Sequence, residues 1–425
     1  MNITNALVPA NLREAMTRPM RVFFTCTFLN ALGTGLTYSF FVIYLHNVRH
    51  FTPQFATLLL ATSAVASLAT GPLWGTLVDR LGPLRVALFG YATSAGALTF
   101  WAFVTTRTSA IVVAVALFVF GGAGWGPNAT LLSRLAGHEF RQRAFGLNFM
   151  LLNLGIGFGS LVSASIVNLH HPVTFSVLYL LDASTAIPAG VLFFTLRAYG
   201  GPVREHLDDP VRRAQGWRTV LKDRRLVQYV IAAIVLLIGG YGSQEAGYSL
   251  FVVNNLHLSV HALGVIFFLN TTTIVLAQRW TLNRIAGRSR TRVLAAVGLL
   301  WFIFWVTLAI ALAMPLVLAF ISLGVSMIIF AIAETMLQPV GAALVNEIAP
   351  EHLRGRYNAA AGIAWGLSGS LAPLVTAVYF GHGLGNWWPL SVGLIALVGS
   401  TMMLNLRRSL SASEDGRSPA GEQNR

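Results

Sequence analysis

The cations of this chain alternate. Long apolar segments are joined by short polar connections, and of the 29 Lys and Arg residues only Arg49 and Arg107 fall in one alternate set of connections. All the others fall in the opposite set. A soluble protein has no cause to place its cations in every second loop. A membrane protein does, because Lys and Arg in short loops resist translocation and stay on the cytoplasmic side. The pattern predicts an all-α integral membrane protein that crosses a lipid bilayer about twelve times, with both termini in the cytoplasm.

The apolar segments have the required length. The expected spans are 20–45, 54–78, 84–105, 109–132, 144–168, 173–196, 226–254, 259–280, 292–313, 315–345, 357–380 and 386–406. A spanning helix needs about 20 apolar residues to cross about 30 Å of hydrocarbon. Only 10% of the chain is charged, against roughly 25% in a soluble domain. The net charge of +14 does not point to nucleic acid, because the arginines are spread over short loops and form no basic domain. One cysteine, Cys26, excludes an internal disulfide and a cysteine metal cluster. The histidines of the opposite loops, among them His46, His50 and the pair His170-His171, have no acidic or thiol companions. They do not read as a metal site. No phosphate-binding loop of the G-x-x-x-x-G-K-[ST] type occurs, so ATP is not the expected energy source. No recognisable catalytic set sits on a soluble domain. Neither an enzyme nor a cofactor is expected. The first apolar run, from near Arg21, is long enough to remain as a helix rather than be cleaved as a signal peptide. Lys222 is the only lysine. That bias suggests a GC-rich bacterial coding sequence, hence the inner (plasma) membrane.

The organisation is twofold. A tail of residues 1–19 precedes a six-helix bundle over 20–196. A polar, basic loop over 197–225 leads to a second six-helix bundle over 226–406. Within that loop, Trp217–Leu226 could lie on the inner leaflet as a short amphipathic helix. The tail over 407–425 is polar, with Ser, Gly and Pro, and is expected to be disordered. The halves repeat. Pro127 followed by Arg141 and Arg143 in the first is matched by Pro339 followed by Arg354 and Arg356 in the second. Gly82-Pro-Leu-Arg85-Val and Gly287-Arg-Ser-Arg-Thr-Arg292-Val hold the same place after the second helix of each half. Such internal repeats are the usual plan of secondary transporters, with the substrate site near mid-membrane.

The loop after the second span reads Gly75-Thr-Leu77-Val-Asp79-Arg80-Leu-Gly82-Pro-Leu-Arg85. It resembles the signature G-x-L-x-D-R-x-G-x-x-R/K of the major facilitator superfamily, and the resemblance covers about residues 20–408. It implies two pseudo-symmetric six-helix bundles that rock about a central site. It also implies that Gly75, Asp79, Arg80, Gly82 and Arg85 form a conformational latch that favours the outward-facing state. The second copy, around Gly287–Arg292, lacks the acid. The segments around Pro127 and Pro339, the Gly155-Ile-Gly157-Phe-Gly159 run and the Asn270…Gln278 stretch resemble the proton-driven multidrug exporter branch. The chain departs from that branch at two places. Ser160 stands where a proline is usual, followed by Ser163-Ala164, and no basic residue lies between Arg107 and Arg134.

Three acids fall well inside expected spans: Asp182, Glu245 and Glu334. A charge at mid-membrane costs at least about 2.5–3.5 kcal/mol, so such residues are candidates for function. By the family plan, Glu245 in the seventh helix and Glu334 in the tenth line the cavity. Asp182 in the peripheral sixth is expected either to make a structural hydrogen bond or to sit at the membrane interface. With α-helical spacing, Tyr241, Glu245 and Tyr248 share one face. Such a face suits a lipophilic cation through charge and cation–π attraction, or a proton held by a buried carboxyl. Glu334 has Gln338 one turn later, then the helix-disrupting Pro339. Asn30, Thr34 and Tyr38 make a polar stripe on the first helix. Asn128 and Asn270 are weaker polar candidates.

These readings converge on a secondary active transporter, expected to export small amphipathic or lipophilic compounds in exchange for protons and to act as a monomer. An importer or metabolite carrier of the same fold is the alternative, although no intramembrane Lys or Arg offers itself to an anionic substrate. A non-transporting receptor or a lipid scramblase is a further alternative, and a receptor would need a signalling domain.

Overall fold

The computed structural model describes residues 16–201, 219–350 and 353–417. Among them run twelve long helices: α1 (Arg18–Val48), α2 (Pro53–Leu81), α3 (Pro83–Trp101), α4 and α5 (residues 107–136 and 138–166), α6 (Val173–Phe194), α7 (Arg224–Asn254), α8 (Val260–Ile285), α9 (Arg290–Ala311), α10 (Leu316–Ile348), α11 (Arg354–Gly381) and α12 (Trp388–Leu406). Ten stretches among the described residues are long and apolar enough to cross a membrane. The helices α3 and α4 complete the twelve.

Local chemistry sets the boundaries. Thr17, Asp223, Ser259 and Ser289 cap α1, α7, α8 and α9 by accepting first-turn N–H groups, and Thr106 and Ser109 form a reciprocal capping box on α4. No loop separates α4 from α5, where residues 133–143 are expected to lie outside the helices. The helix is continuous except at Gly137, whose φ of 64° lets the chain turn within one residue. Gly82 and Gly287 turn the chain between α2 and α3 and between α8 and α9 with φ of 88° and 70°. The repeat read from the two loops is therefore also a repeat of backbone conformation.

The chain divides into two compact units. The first holds residues up to Phe51, Ala66–Glu205 and Leu263–Thr271, and the second holds Thr52–Val65, His206–Ala262 and Thr272 onward. The expected boundaries at 20–196 and 226–406 differ in two respects, since the first part of α2 counts with the second unit and a segment of α8 with the first.

In the first unit α1 packs on α5 through small residues. A Cβ at Gly35 would meet the Ile156 carbonyl, and one at Gly159 the Leu32 carbonyl. Ser160 donates to the Gly35 carbonyl at 3.2 Å and pairs with Ser39 at 2.9 Å, while Ser163 donates to the Leu36 carbonyl at 2.8 Å. The serines that depart from the exporter pattern thus tie α5 to α1. Arg49, one of the two cations outside the alternation, is also accounted for. Its guanidinium donates to the Tyr44 hydroxyl at 2.8 Å and lies 5.1 Å from that ring's centre.

The second unit has an aromatic core. Trp301, Phe304, Trp305 and Trp388 are fully buried. Trp305 and Trp388 meet edge-on at 4.9 Å between ring centres.

The tail is not disordered through Arg417. Asp415 is fully buried, and its carboxylate accepts from the Ser289 hydroxyl at 2.7 Å, the Thr291 hydroxyl at 2.8 Å and the Thr291 N–H at 2.9 Å. Glu414 pairs with Arg225, which also pairs with Asp223 at 3.0 Å. Low hydrophobicity suggested disorder, but polar anchoring holds this segment. Residues 1–15, 202–218 and 418–425, including Trp217 of the expected surface helix, lie outside the described residues.

Candidate functional site

α7 does not keep α-helical winding. Ile238–Gly242 and Gln244–Tyr248 are π-helical turns. Widening a turn frees backbone groups, and here the Gly239 carbonyl accepts from the Trp305 indole N–H at 2.7 Å while the Ile238 carbonyl accepts from the Ser243 hydroxyl at 2.7 Å. Gly239 and Gly240 permit the close approach. A Cβ on either would enter the Ala396 backbone or the Trp301 ring.

The wider winding changes which side chains meet. At roughly 80° per residue rather than 100°, a seven-residue step no longer returns to the same face. Tyr248 turns inward, fully buried and stacked on Phe304 at 5.8 Å. Glu245 is exposed. The expected face of Tyr241, Glu245 and Tyr248 is therefore corrected. Tyr241 instead donates its hydroxyl to Oε1 of Glu334 on α10.

Glu334 is 2% exposed. Around Tyr241 stand Trp365 at 5.3 Å, Phe330 at 6.0 Å and Trp301 at 6.5 Å, all edge-on. Trp301 and Phe330 stack on each other at 5.4 Å. A buried carboxylate bonded to a tyrosine that stands among aromatic rings can serve a cation or a proton. Trp365 also borders a cavity of about 180 Å³ in the second unit, lined further by Tyr229, Leu337, Gln338, Gly341 and Asn358. The exposed Gln338 thus faces a space one turn from Glu334.

The remaining candidates belong to the first unit. Asp182 in the first unit is 6% exposed and accepts from the Thr37 hydroxyl at 2.6 Å. Thr37 is where α1 leaves α-helical geometry for a 3-10 turn at Tyr38–Phe40. Tyr38 opens that turn, and its N–H still donates to the Thr34 carbonyl in the α-helical pattern, so Asn30, Thr34 and Tyr38 keep their spacing. Asn30 and Thr34 are half-buried, Thr34 donates to the Asn30 carbonyl at 3.1 Å, and Tyr38 is 44% exposed. Asn128 donates to the Tyr91 hydroxyl at 3.3 Å, a packing contact between α4 and α3. Asn270 is half-buried on α8. In the loop motif Gly82 is buried against Gly200, Gly75 has open space around it, and Arg80 and Arg85 are exposed. The Asp79 side chain lies outside the described residues.

Sequence reasoning missed Trp301, Trp365, Thr37 and the tail. Tryptophans inside the ninth and eleventh spans were a usable signal. Nothing local marked Thr37 as a partner of Asp182, 145 positions away.

Known proteins share this plan. The chain is 23% identical over 422 residues to a Na(+), Li(+), K(+)/H(+) antiporter of Planococcus maritimus, covering 91% of this chain and 95% of the relative. It is 23% identical to the uncharacterized MFS-type transporter YttB of Bacillus subtilis, covering 92% and 93%. A solved POT family transporter in complex with 5-aminolevulinic acid superposes with a TM-score of 0.77 at 14% identity, covering 96% and 99%. The nucleoside transporter NupG, solved as a point mutant, does so with 0.77 at 15%, covering 92% and 100%. The Major Facilitator Superfamily model matches residues 23–373 and 246–423, and with twelve helices in repeated halves the chain belongs to that superfamily of membrane transporters.

Proposed function

We propose that this protein is a proton antiporter that exports small amphipathic or lipophilic compounds, working as a monomer in the bacterial plasma membrane with both termini in the cytoplasm. One observation carries the reading: the buried Glu334 carboxyl accepts from Tyr241, whose ring is met edge-on by Trp365, Phe330 and Trp301. Such a centre binds a cation through charge and ring faces, or a proton through the carboxyl. Because one carboxyl serves both, arrival of one displaces the other, and exchange follows. The relative from Planococcus, whose name states cation/H+ exchange, supports the proton coupling.

A second reading has its own support. The cavity beside Trp365 holds about 180 Å³, below the roughly 300–1,000 Å³ of pockets that enclose drug-sized ligands. That size, with the same relative, favours a monovalent metal cation as the exchanged species.

The test is proton movement in sealed vesicles holding the purified protein and an acid lumen. Ethidium, Na+ and K+ are added singly, with Glu245→Gln and Glu334→Gln beside the native chain. Ethidium-driven proton release lost in Glu334→Gln supports the first reading. Release driven by Na+ or K+ alone supports the second. Ethidium movement with no proton release refutes antiport.

A further inference from the structure

The two loop repeats differ at one chemically important position. Three residues before Gly82 stands Asp79, and three residues before Gly287 stands Arg284. The second copy therefore has a cation where the first has its acid. The Arg284 guanidinium lies 5.4 Å from the centre of the Trp280 ring. Yet the second loop does not lack a carboxylate. Asp415 brings one from 128 positions beyond Gly287 and buries it completely at the start of α9.

The docking is extensive. Both oxygens of Asp415 are used. One accepts from the Thr291 N–H and hydroxyl, and the other accepts from the Ser289 hydroxyl and pairs with Arg417 at 2.8 Å and Arg407 at 3.7 Å. The Arg290 N–H donates to the Asp415 carbonyl at 2.9 Å, and its guanidinium donates to the Glu414 carbonyl at 2.7 Å and pairs with Glu347 at 3.3 Å. Glu414 continues to Arg225 and Asp223, and Asp223 accepts from the Tyr357 hydroxyl at 2.9 Å. One polar chain thus joins the ends of α7, α9, α10, α11 and α12. The segment is shaped for this. Gly416 takes a φ of 70°, and Arg417 N–H closes on the Ala412 carbonyl at 2.7 Å.

We infer that Asp415 is the positioning residue that replaces the acid missing from the second loop repeat, and that docking of Ser411–Arg417 holds the α8–α9 turn and the start of α7 in one arrangement. The carboxylate at the start of α9 satisfies first-turn N–H and hydroxyl donors and meets the positive end of the helix dipole. The paired arginines supply the charge that lets it be buried.

The full-length protein in nanodiscs tests this by two readouts that need no substrate. Spin labels at Lys222→Cys and Ala412→Cys report docking, with the fully buried Cys26 left in place. Hydrogen exchange at the Thr291 amide reports the grip on α9. The native chain is expected to give one narrow distance. Asp415→Asn is expected to broaden it and to speed Thr291 exchange about tenfold or more. Adding Arg284→Asp to Asp415→Asn, which puts an acid back into the loop, is expected to restore most of the amide protection while the tail stays undocked. Native exchange in Asp415→Asn overturns the proposal. Lost protection that Arg284→Asp fails to restore also overturns it, because Asp415 would then be a cap on α9 and not a substitute for the loop acid. If Asp415→Asn does not fold, Arg417→Gln takes its place and is read by the same two outcomes.

Discussion

The Tyr241 hydroxyl donates to the Glu334 carboxylate across 93 positions of sequence, and this bond joins α7 to α10 inside the second unit. Tyr241→Phe removes the donor and keeps the ring. A buried acceptor left short of a partner costs about 1–3 kcal/mol. The expected outcome is a stability loss of that order by thermal unfolding in detergent. Ethidium or cation exchange in vesicles falls in parallel. Glu334→Gln is expected to abolish substrate-driven proton release while leaving the fold intact, because the amide oxygen still accepts from Tyr241.

Tyr248 should behave differently from Tyr241, although the sequence placed them on one face. Its ring is fully buried and stacks on Phe304. Tyr248→Ala is expected to cost about 3–5 kcal/mol, as for other large buried aromatics, without selective loss of proton coupling in the protein that folds. A Tyr248→Ala variant with native stability would show that the π-helical register is wrong.

Much of the fold was legible because its signals are one-dimensional. Run length, cation alternation and paired loop motifs need no knowledge of contacts. Glu334 was legible for the same reason, as an acid in a long apolar run. Its partner was not. The spacing of Tyr241, Glu245 and Tyr248 was read with α-helical periodicity, and two π turns shift that register. No local cue except the glycines at 239, 240, 242 and 247 announced those turns. The tail misled for another reason. Composition reports whether a segment can bury apolar area, and Asp415 is held by polar groups contributed mainly by distant residues.

Close packing of α1 on α5 gives a contrasting pair. A Cβ at Gly35 meets the backbone carbonyl of Ile156, which cannot rotate away. Gly35→Ala is expected to destabilise the protein by about 1–3 kcal/mol. Gly190, on α6, has nothing within 4 Å of a built Cβ. Gly190→Ala is expected to be neutral or to stabilise by up to about 1 kcal/mol, from helix propensity. Thermal midpoints of the two variants against the native chain decide this. Equal effects would remove the steric account.

Acid should release the tail, and the sign follows from two carboxyls outside the membrane spans. Burial alone would raise Asp415, but hydrogen bonds from Ser289 and Thr291 and the charge of Arg417 hold it below the ordinary 3.8. Burial would likewise raise Asp223, and bonds from Arg225 and Tyr357 hold it below the same value. Each group binds its proton more weakly folded than unfolded. Its stabilising contribution is therefore full above about pH 4 and is lost as pH falls through the lowered folded value. The distance between labels at positions 222 and 412, followed from about pH 7 to about pH 2, is expected to stay narrow to below pH 3.8 and then broaden. In Asp415→Asn the label distance is expected to be broad already at about pH 7, with no sharp acid step remaining. A transition near about pH 6 in the native chain would place the control elsewhere, since both carboxyls titrate well below that range.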